Sequence, residues 1–263
     1  MVRGGLPLRP NGATEPLAIR VEAVELNLPD LYQGFVEGEV LVSGSALEPL
    51  IGGELTLSEG TVSARSGGNA ALKLDGGWQP EFSNLALQLG PGVDVAAPPL
   101  LSFTAVGSLR LNGALNALRP NGVIELTGGR VNLGVTSFRL DRDRPNTATF
   151  TPEFGLDPLL DVRVISQVFE VSPVGQVPSI RDPGIPLRPY FGGQQSVDVQ
   201  ATIQGRASAL SLEDRSIVQL SSSPPRTEAE IVALVSGSTL GGLATGDLAG
   251  FALSALFNTL QDN

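Results

Sequence analysis

The chain contains no cysteine and no histidine, and only one lysine, one methionine and one tryptophan among its 263 residues. Each absence closes a route. Without cysteine there is no disulfide framework, no thiol nucleophile and no zinc ribbon. Without histidine there is no Ser-His-Asp triad and no histidine metal site. The single lysine, Lys73, argues against a P-loop or Schiff-base enzyme. Basic runs are missing too, and 17 Lys+Arg face 27 Asp+Glu for a formal net charge of −10. Nucleic-acid binding, which rests on cationic side chains neutralising phosphates, is therefore not expected. No apolar run reaches the roughly 18 residues of a membrane helix. The nearest stretch, 240–257, is cut by Gly241, Gly242, Gly246, Gly250 and Asp247. Arg3 and Arg9 precede no apolar signal-peptide core, so the chain reads as a fragment beginning in mid-protein behind an initiator Met. With no histidine base and no carboxylate pair that stands out, the expectation is a non-enzymatic protein with no cofactor and no metal.

What the sequence does have is period two. Apolar and polar residues alternate in Val21–Leu28 (with a slip near Ala23), Gly38–Gly44, Glu54–Ser58, Ala71–Asp75, Asn84–Leu89, Ser108–Asn112, Ile124–Thr127, Arg130–Leu133, Asp161–Val164 and Ser196–Gln204. Such alternation marks strands with one buried face. Gly, Pro, Asn or Asp punctuates nearly every gap. Residues 1–20 read as a tail or linker, 21–223 as the β-region and 224–263 as a helical segment. Within the β-region, about 141–195 is proline-dense and reads as long connections carrying a few strands. Pro224 and Pro225 stop the last strand. Thr227 and Glu230 then have the spacing of a capping box, placing Ile231, Leu234 and Val235 on one helical face. A second helix is expected from Asp247 to about Leu260, apolar most of the way round.

A repeat is visible. Gly38, Gly44, Gly53 and Gly60 match Gly107, Gly113, Gly122 and Gly129 at a constant offset of 69. Inside that frame Val40, Val42, Leu55, Leu57 and Val62 match Leu109, Leu111, Ile124, Leu126 and Val131. The copies are 38–62 and 107–131, with a partial third near 199–212. A fixed period implies stacked units sharing one continuous core.

The alternating strands share an aliphatic face: Val40, Val42, Leu55, Leu57, Leu72, Leu74, Leu85, Leu87, Leu89, Leu109, Leu111, Ile124, Leu126, Val131, Leu133, Val162, Val164, Val197, Val199 and Ile203. Two readings stay open. Either two sheets meet over an ordinary sandwich core, or one curved sheet folds over without closing and leaves an apolar trough. Aromatics at 5% favour the trough, because dry cores recruit bulky rings. The C-terminal segment, with Pro224, Pro225, Arg226, Ile231, Leu234, Phe251 and Leu256, is either a partner contact or a plug closing the end of the sheet. Asp141, Asp143, Asp157 and Asn146 offer oxygen ligands for calcium, but interleaved Arg142 and Arg144 favour a salt-bridged loop.

Several segments together resemble the C-terminal domain of the TamB family of translocation and assembly proteins, cyanobacterial or chloroplast-envelope type. They are the two Gly-spaced repeats, 85–95, 152–162, 199–212 and above all the passage from Leu220 through Pro224-Pro225 to Val235. The resemblance covers roughly 36–262. It implies an all-β fold with a short helical C-terminal segment, built as a long, twisted, folded-over sheet (a β-taco) with an apolar interior. It also implies phospholipid acyl chains as cargo of the groove residues named above. The implied partners are a BamA/TamA-type outer-membrane assembly barrel and membranes at either end of the full-length protein. The implied location is the cell envelope, in the periplasm or chloroplast intermembrane space, with an inner-membrane anchor. Relatives usually continue past the position of Asn263 with more β-structure. The alternative from another class is a structural β-repeat passenger or adhesin with a closed core.

Overall fold

The computed structural model describes residues 2–5, 16–28, 31–64, 80–133, 136–171, 194–209 and 217–236. The strands are β1 (Val2–Arg3), β2 (Leu17–Leu28), β3 (Tyr32–Gly44), β4 (Pro49–Ser63), β5 (Glu81–Leu89), β6 (Val93–Ala97), β7 (Leu101–Ala114), β8 (Arg119–Leu133), β9 (Thr136–Leu140), β10 (Thr147–Phe150), β11 (Leu159–Val171), β12 (Gln194–Arg206) and β13 (Val218–Ser223). Helix α1 (Glu228–Ser236) follows. All thirteen strands form one sheet in the order β1-β2-β3-β4-β5-β7-β8-β10-β11-β12-β13, with β6 between β4 and β7 and β9 between β8 and β11. The described strands therefore make one folded-over sheet, not two stacked ones. Neighbours are antiparallel throughout except where β4 pairs β5 and β6 in parallel.

Two lanes of the sheet are each built from two short strands. The β5–β6 lane breaks at Gly90-Pro91-Gly92, where Pro91 has no N–H to donate. The ladder is held across the break because Glu59 N–H donates to the Pro91 carbonyl (3.0 Å) and Gly60 N–H to that of Gly92 (2.9 Å). The β9–β10 lane breaks at 141–146, and Asn146, 1% exposed, clips it together. Its amide donates to the carbonyls of Asp141 (2.6 Å) and Arg144 (3.1 Å), and its side-chain oxygen accepts from Arg163 N–H (2.8 Å). A buried amide so fully bonded suits a ladder that must change direction without orphaning backbone groups.

The 69-residue repeat is a repeat of register. Gly38 faces Leu55 and Gly53 faces Val40; Gly107 faces Ile124 and Gly122 faces Leu109. Gly107 has φ +139°, and a Cβ there would run into the Val123 carbonyl oxygen. Only glycine accepts that backbone and that approach. Each copy is thus a hairpin pinched at two reciprocal glycines, which makes the sheet coil.

The slip near Ala23 is a bulge: pairing shifts between Val21 and Val24, and Ala23 has φ 44°. Two features differ from the sequence expectation. Ile124–Thr127 and Arg130–Leu133 are one strand, β8, because a bulge against Thr104/Ala105 absorbs the phase change between them. Strand β2 begins at Leu17 and β1 pairs with it, both inside the stretch read as a tail. As expected, the proline-dense middle carries a few strands, β10 and β11 among them. The Ala71–Asp75 strand and the 247–260 helix lie outside the described residues.

Candidate functional site

Registers place residues on one face row by row. One row runs Val36, Leu57, Leu89, Gly107, Ile124, Ala148, Leu160, Gly205. The next runs Gly38, Leu55, Leu87, Leu109, Gly122, Phe150. A third runs Val40, Gly53, Leu85, Leu111, Pro120, and a fourth Val42, Ile51, Phe82, Gly113. No polar side chain interrupts any of the four. The adjacent rows on the other face carry Glu37, Thr56, Gln88 and Ser108, then Glu39, Glu54, Ala86 and Arg110. The alternation of the sequence thus becomes a two-sided surface, polar outside and aliphatic inside.

The inside is filled unevenly. Toward the N-terminal end, Tyr32, Val36, Leu57 and Val93 form a buried cluster with Leu26, Leu55, Val62, Leu87 and Leu89 packed against it. Tyr32 is the anchor: its hydroxyl donates to the Phe35 carbonyl (2.8 Å) and approaches that of Ser58 (3.1 Å). Burial pushes its phenol up from the usual 10.0, partly opposed by the Ser58 bond. Gly34 and Gly60 leave the space its ring occupies. Toward the C-terminal end, Phe103, Phe138, Leu140, Val162, Val164, Val197, Val199, Ala201 and Ile231 form a larger cluster. Leu109 and Leu111, like Val40, Val42 and Ile51, belong to neither cluster and stay half-buried, while Leu85 beside Leu111 is buried.

Most of the predicted lining residues come together. Val40, Val42, Leu55, Leu57, Leu85, Leu87, Leu89, Leu109, Leu111, Ile124, Leu126 and Val131 share the apolar face from β3 to β8. Val162, Val164, Val197, Val199 and Ile203 continue it on β11 and β12. Leu133 ends β8. Leu72, Leu74, Phe251 and Leu256 lie outside the described residues. Tyr32, Val36, Val93, Phe103, Phe138 and Leu140 were missed, although Phe138 and Leu140 do alternate in a strand too short to stand out.

Helix α1 closes the C-terminal end. Pro224, Pro225 and Arg226 lead from β13 into it. Ile231 is 1% exposed, and Leu234 and Val235 pack against the larger cluster. The Thr136 hydroxyl donates to the Val235 carbonyl (2.8 Å), satisfying one helix-end acceptor. The capping box is present: Thr227 N–H donates to Glu230 Oε2 (2.8 Å), and Glu230 N–H reaches Thr227 Oγ1 (3.4 Å). The Thr227 backbone bond first, then its hydroxyl, holds the Glu230 carboxyl below its ordinary 4.5, with the Arg226 charge adding to the effect. A depressed carboxylate stabilises above its unfolded value and is lost as pH falls through the folded one. The Thr227 amide resonance is expected to titrate with a midpoint below 4.5, and Glu230→Gln is expected to flatten that titration.

Three of the four candidate calcium ligands, Asp141, Asn146 and Asp157, are engaged by protein. The Asp141 carboxylate lies 3.8 Å from Arg163 and accepts from Asp143 N–H (3.1 Å). Asp157 binds the N–H and hydroxyl of Ser208 (2.8 and 2.6 Å). No metal-sized cluster of acidic groups occurs among the described residues. A shallow cavity of about 670 Å³ lies on the polar face, lined by Gln88, Ser108, Arg110 and Asn121 among others. It offers little to an apolar ligand.

A single coiled sheet with four successive inward rows of apolar residues and glycine defines a groove-forming β-protein. The chain belongs to the family of TamB C-terminal domains, whose model matches residues 2–263. It is 25% identical over 224 residues to Protein SUBSTANDARD STARCH GRAIN 4, chloroplastic, of Oryza sativa subsp. japonica, covering 64% of this chain and 10% of that protein. It is 26% identical over 233 residues to Protein TIC236, chloroplastic, of Arabidopsis thaliana, covering 65% of this chain and 11% of that protein. The matches thus span about a tenth of the length of these relatives.

Proposed function

We propose that this chain is a segment of an envelope protein, without enzymatic activity, whose apolar face carries phospholipid acyl chains between two membranes. The reading extends to support of outer-membrane protein assembly beside a BamA/TamA-type barrel. The setting is a periplasm or chloroplast intermembrane space, with an inner-membrane anchor elsewhere in the polypeptide. The observation that carries it is the run of four inward rows without a polar side chain. A chain exposed to water loses about 0.8 kcal/mol per methylene, and a continuous aliphatic track offsets that loss along its length. Aliphatic walls without polar anchors hold a chain in no fixed register, which suits sliding. The half-burial of Leu109 and Leu111 favours the groove over a closed-core structural passenger.

The test is native mass spectrometry with lipid extraction on the purified chain. Wild type is expected to carry phospholipid. Leu109→Asp, at a half-buried position of the apolar face, is expected to lose most of it while keeping a cooperative melt. A lipid-free wild type that melts cooperatively would sink the transfer reading and leave partner docking.

A further inference from the structure

The aliphatic face of the sheet does not end where α1 begins to cover it. Leu160 on β11 stands in the inward row that starts at Val36 on β3. Val162 and Val164 follow it at alternate positions of the same strand, on the same face. Across the ladder Val162 faces Ile203, and Val164 faces Ala201, which faces Leu220 on β13. The surface beneath α1 is thus the proposed track itself, carried round onto the last strands. Its exposure differs from that of the rest. Val40, Val42, Leu109 and Leu111 are half-buried. Val162, Val164, Val197 and Val199 are buried, and Ile231 of α1 shares their cluster.

Helix α1 has little of its own to keep it in place. Its nine residues are fewer than a helix needs to persist in water. Ile231, Val232 and Val235 are β-branched, which lowers helix propensity further. It stays because Ile231, Leu234 and Val235 pack on the sheet and because the Thr136 hydroxyl donates to the Val235 carbonyl. The side chains that meet Ile231 in this cluster are hydrocarbon throughout. They offer no donor or acceptor, so they distinguish an aliphatic side chain from an alkyl chain by shape alone. We propose that α1 is a displaceable stopper. The end of the groove at Val162, Val164, Val197 and Val199 is an acyl-chain site that α1 occupies through Ile231, and a lipid chain and α1 exclude one another there. This rests on the groove reading above. By linkage, whatever loosens α1 strengthens chain binding, and chain binding loosens α1 by the same factor.

The test titrates the full chain with dodecylphosphocholine, kept below its micelle concentration, and follows it by calorimetry and by hydrogen exchange. Saturating probe is expected to speed exchange of the α1 amides of wild type by about tenfold, while β3 and β4 keep their protection. Ile231→Ala trims the stopper and leaves the four valines in place. It is expected to bind the probe about tenfold more tightly than wild type. The sign of that change decides the matter. If Ile231 were part of the lipid's own seat, truncating it would weaken binding, so weaker binding in the variant overturns the proposal. Unchanged affinity overturns it as well and leaves the groove reading standing, with the chain seated elsewhere on the track. Slower α1 exchange on adding the probe overturns it too, because the chain would then be packing on a docked helix. Failure of the probe to bind either protein removes the groove reading and with it the stopper. Wild-type exchange rates in β3 and β4 of the variant are the control for an intact sheet.

Discussion

Gly107→Ala is expected to lower the unfolding free energy by about 3 kcal/mol, the combined scale of a strained backbone and an overpacked contact. Alanine at φ +139° sits where L-residues rarely go, and its methyl meets the Val123 carbonyl oxygen. A flexible side chain could yield, but this obstacle is ladder backbone on β8. Relief would require β7 and β8 to separate at this glycine. Gly122 is the reciprocal point on β8, blocked by the Ser108 carbonyl oxygen, so the two substitutions are expected to couple strongly. Urea unfolding reads the effect as a drop in midpoint at constant slope. Gly5→Ala is the control, since no atom lies within 4 Å of its Cβ position. A Gly107→Ala midpoint equal to the control would show that the pinch is not structural. A domain typically has only 5–15 kcal/mol to lose, so this one methyl group is a severe change.

Ile231→Asp is expected to undock α1 without unfolding the sheet. Ile231 is 1% exposed, and burying such a side chain contributes about 1.5–3 kcal/mol. An aspartate there would be a charge in an apolar cluster, and the helix avoids that cost by leaving. Once free, nine residues are too few to remain helical in water. Hydrogen exchange of the α1 amides is expected to accelerate by at least about a hundredfold. The vacated Val162, Val164, Val197 and Val199 are expected to take up an apolar dye. The strands of the N-terminal cluster, which do not touch α1, are expected to keep their protection. Unchanged exchange in α1 would mean that Ile231 does not hold the helix down. Dye uptake without loss of the sheet would mark α1 as a stopper in the groove's own end.

The parts of this architecture legible in the sequence are those set by neighbours along the chain. Period two revealed the long strands, because burial on one face leaves a polar residue at every other position. The glycine spacing revealed the 69-residue repeat but suggested turns; that Gly38, Gly53, Gly107 and Gly122 lie inside paired strands as reciprocal pinch points needs the register. Thr227 and Glu230 revealed the start of α1, since a capping box spans only four residues. What stayed hidden depends on pairing. Strands β6, β9 and β10 have five, five and four residues, too few for a period to emerge. Asn146 looked like a possible ion ligand because nothing in its neighbourhood betrays that Arg163 N–H comes to its side chain. Of the groove itself, the lining was legible and the covering was not: which stretch α1 closes and which stays open is decided by docking.

The parallel seam between β4 and the β5–β6 lane has a consequence for the birth of the molecule. Strands β1 to β4 pair with their immediate neighbours and can zip together as they leave the ribosome. The far edge of β4 must then wait, because its partner arrives only after the crossover between Ser63 and Glu81 has been made. Throughout that interval a fifteen-residue strand presents unpaired backbone groups along one side. Two nascent chains stalled at this point on neighbouring ribosomes would offer each other the same open edge. The seam that joins the two halves of the finished sheet is thus also its moment of greatest exposure to the wrong partner.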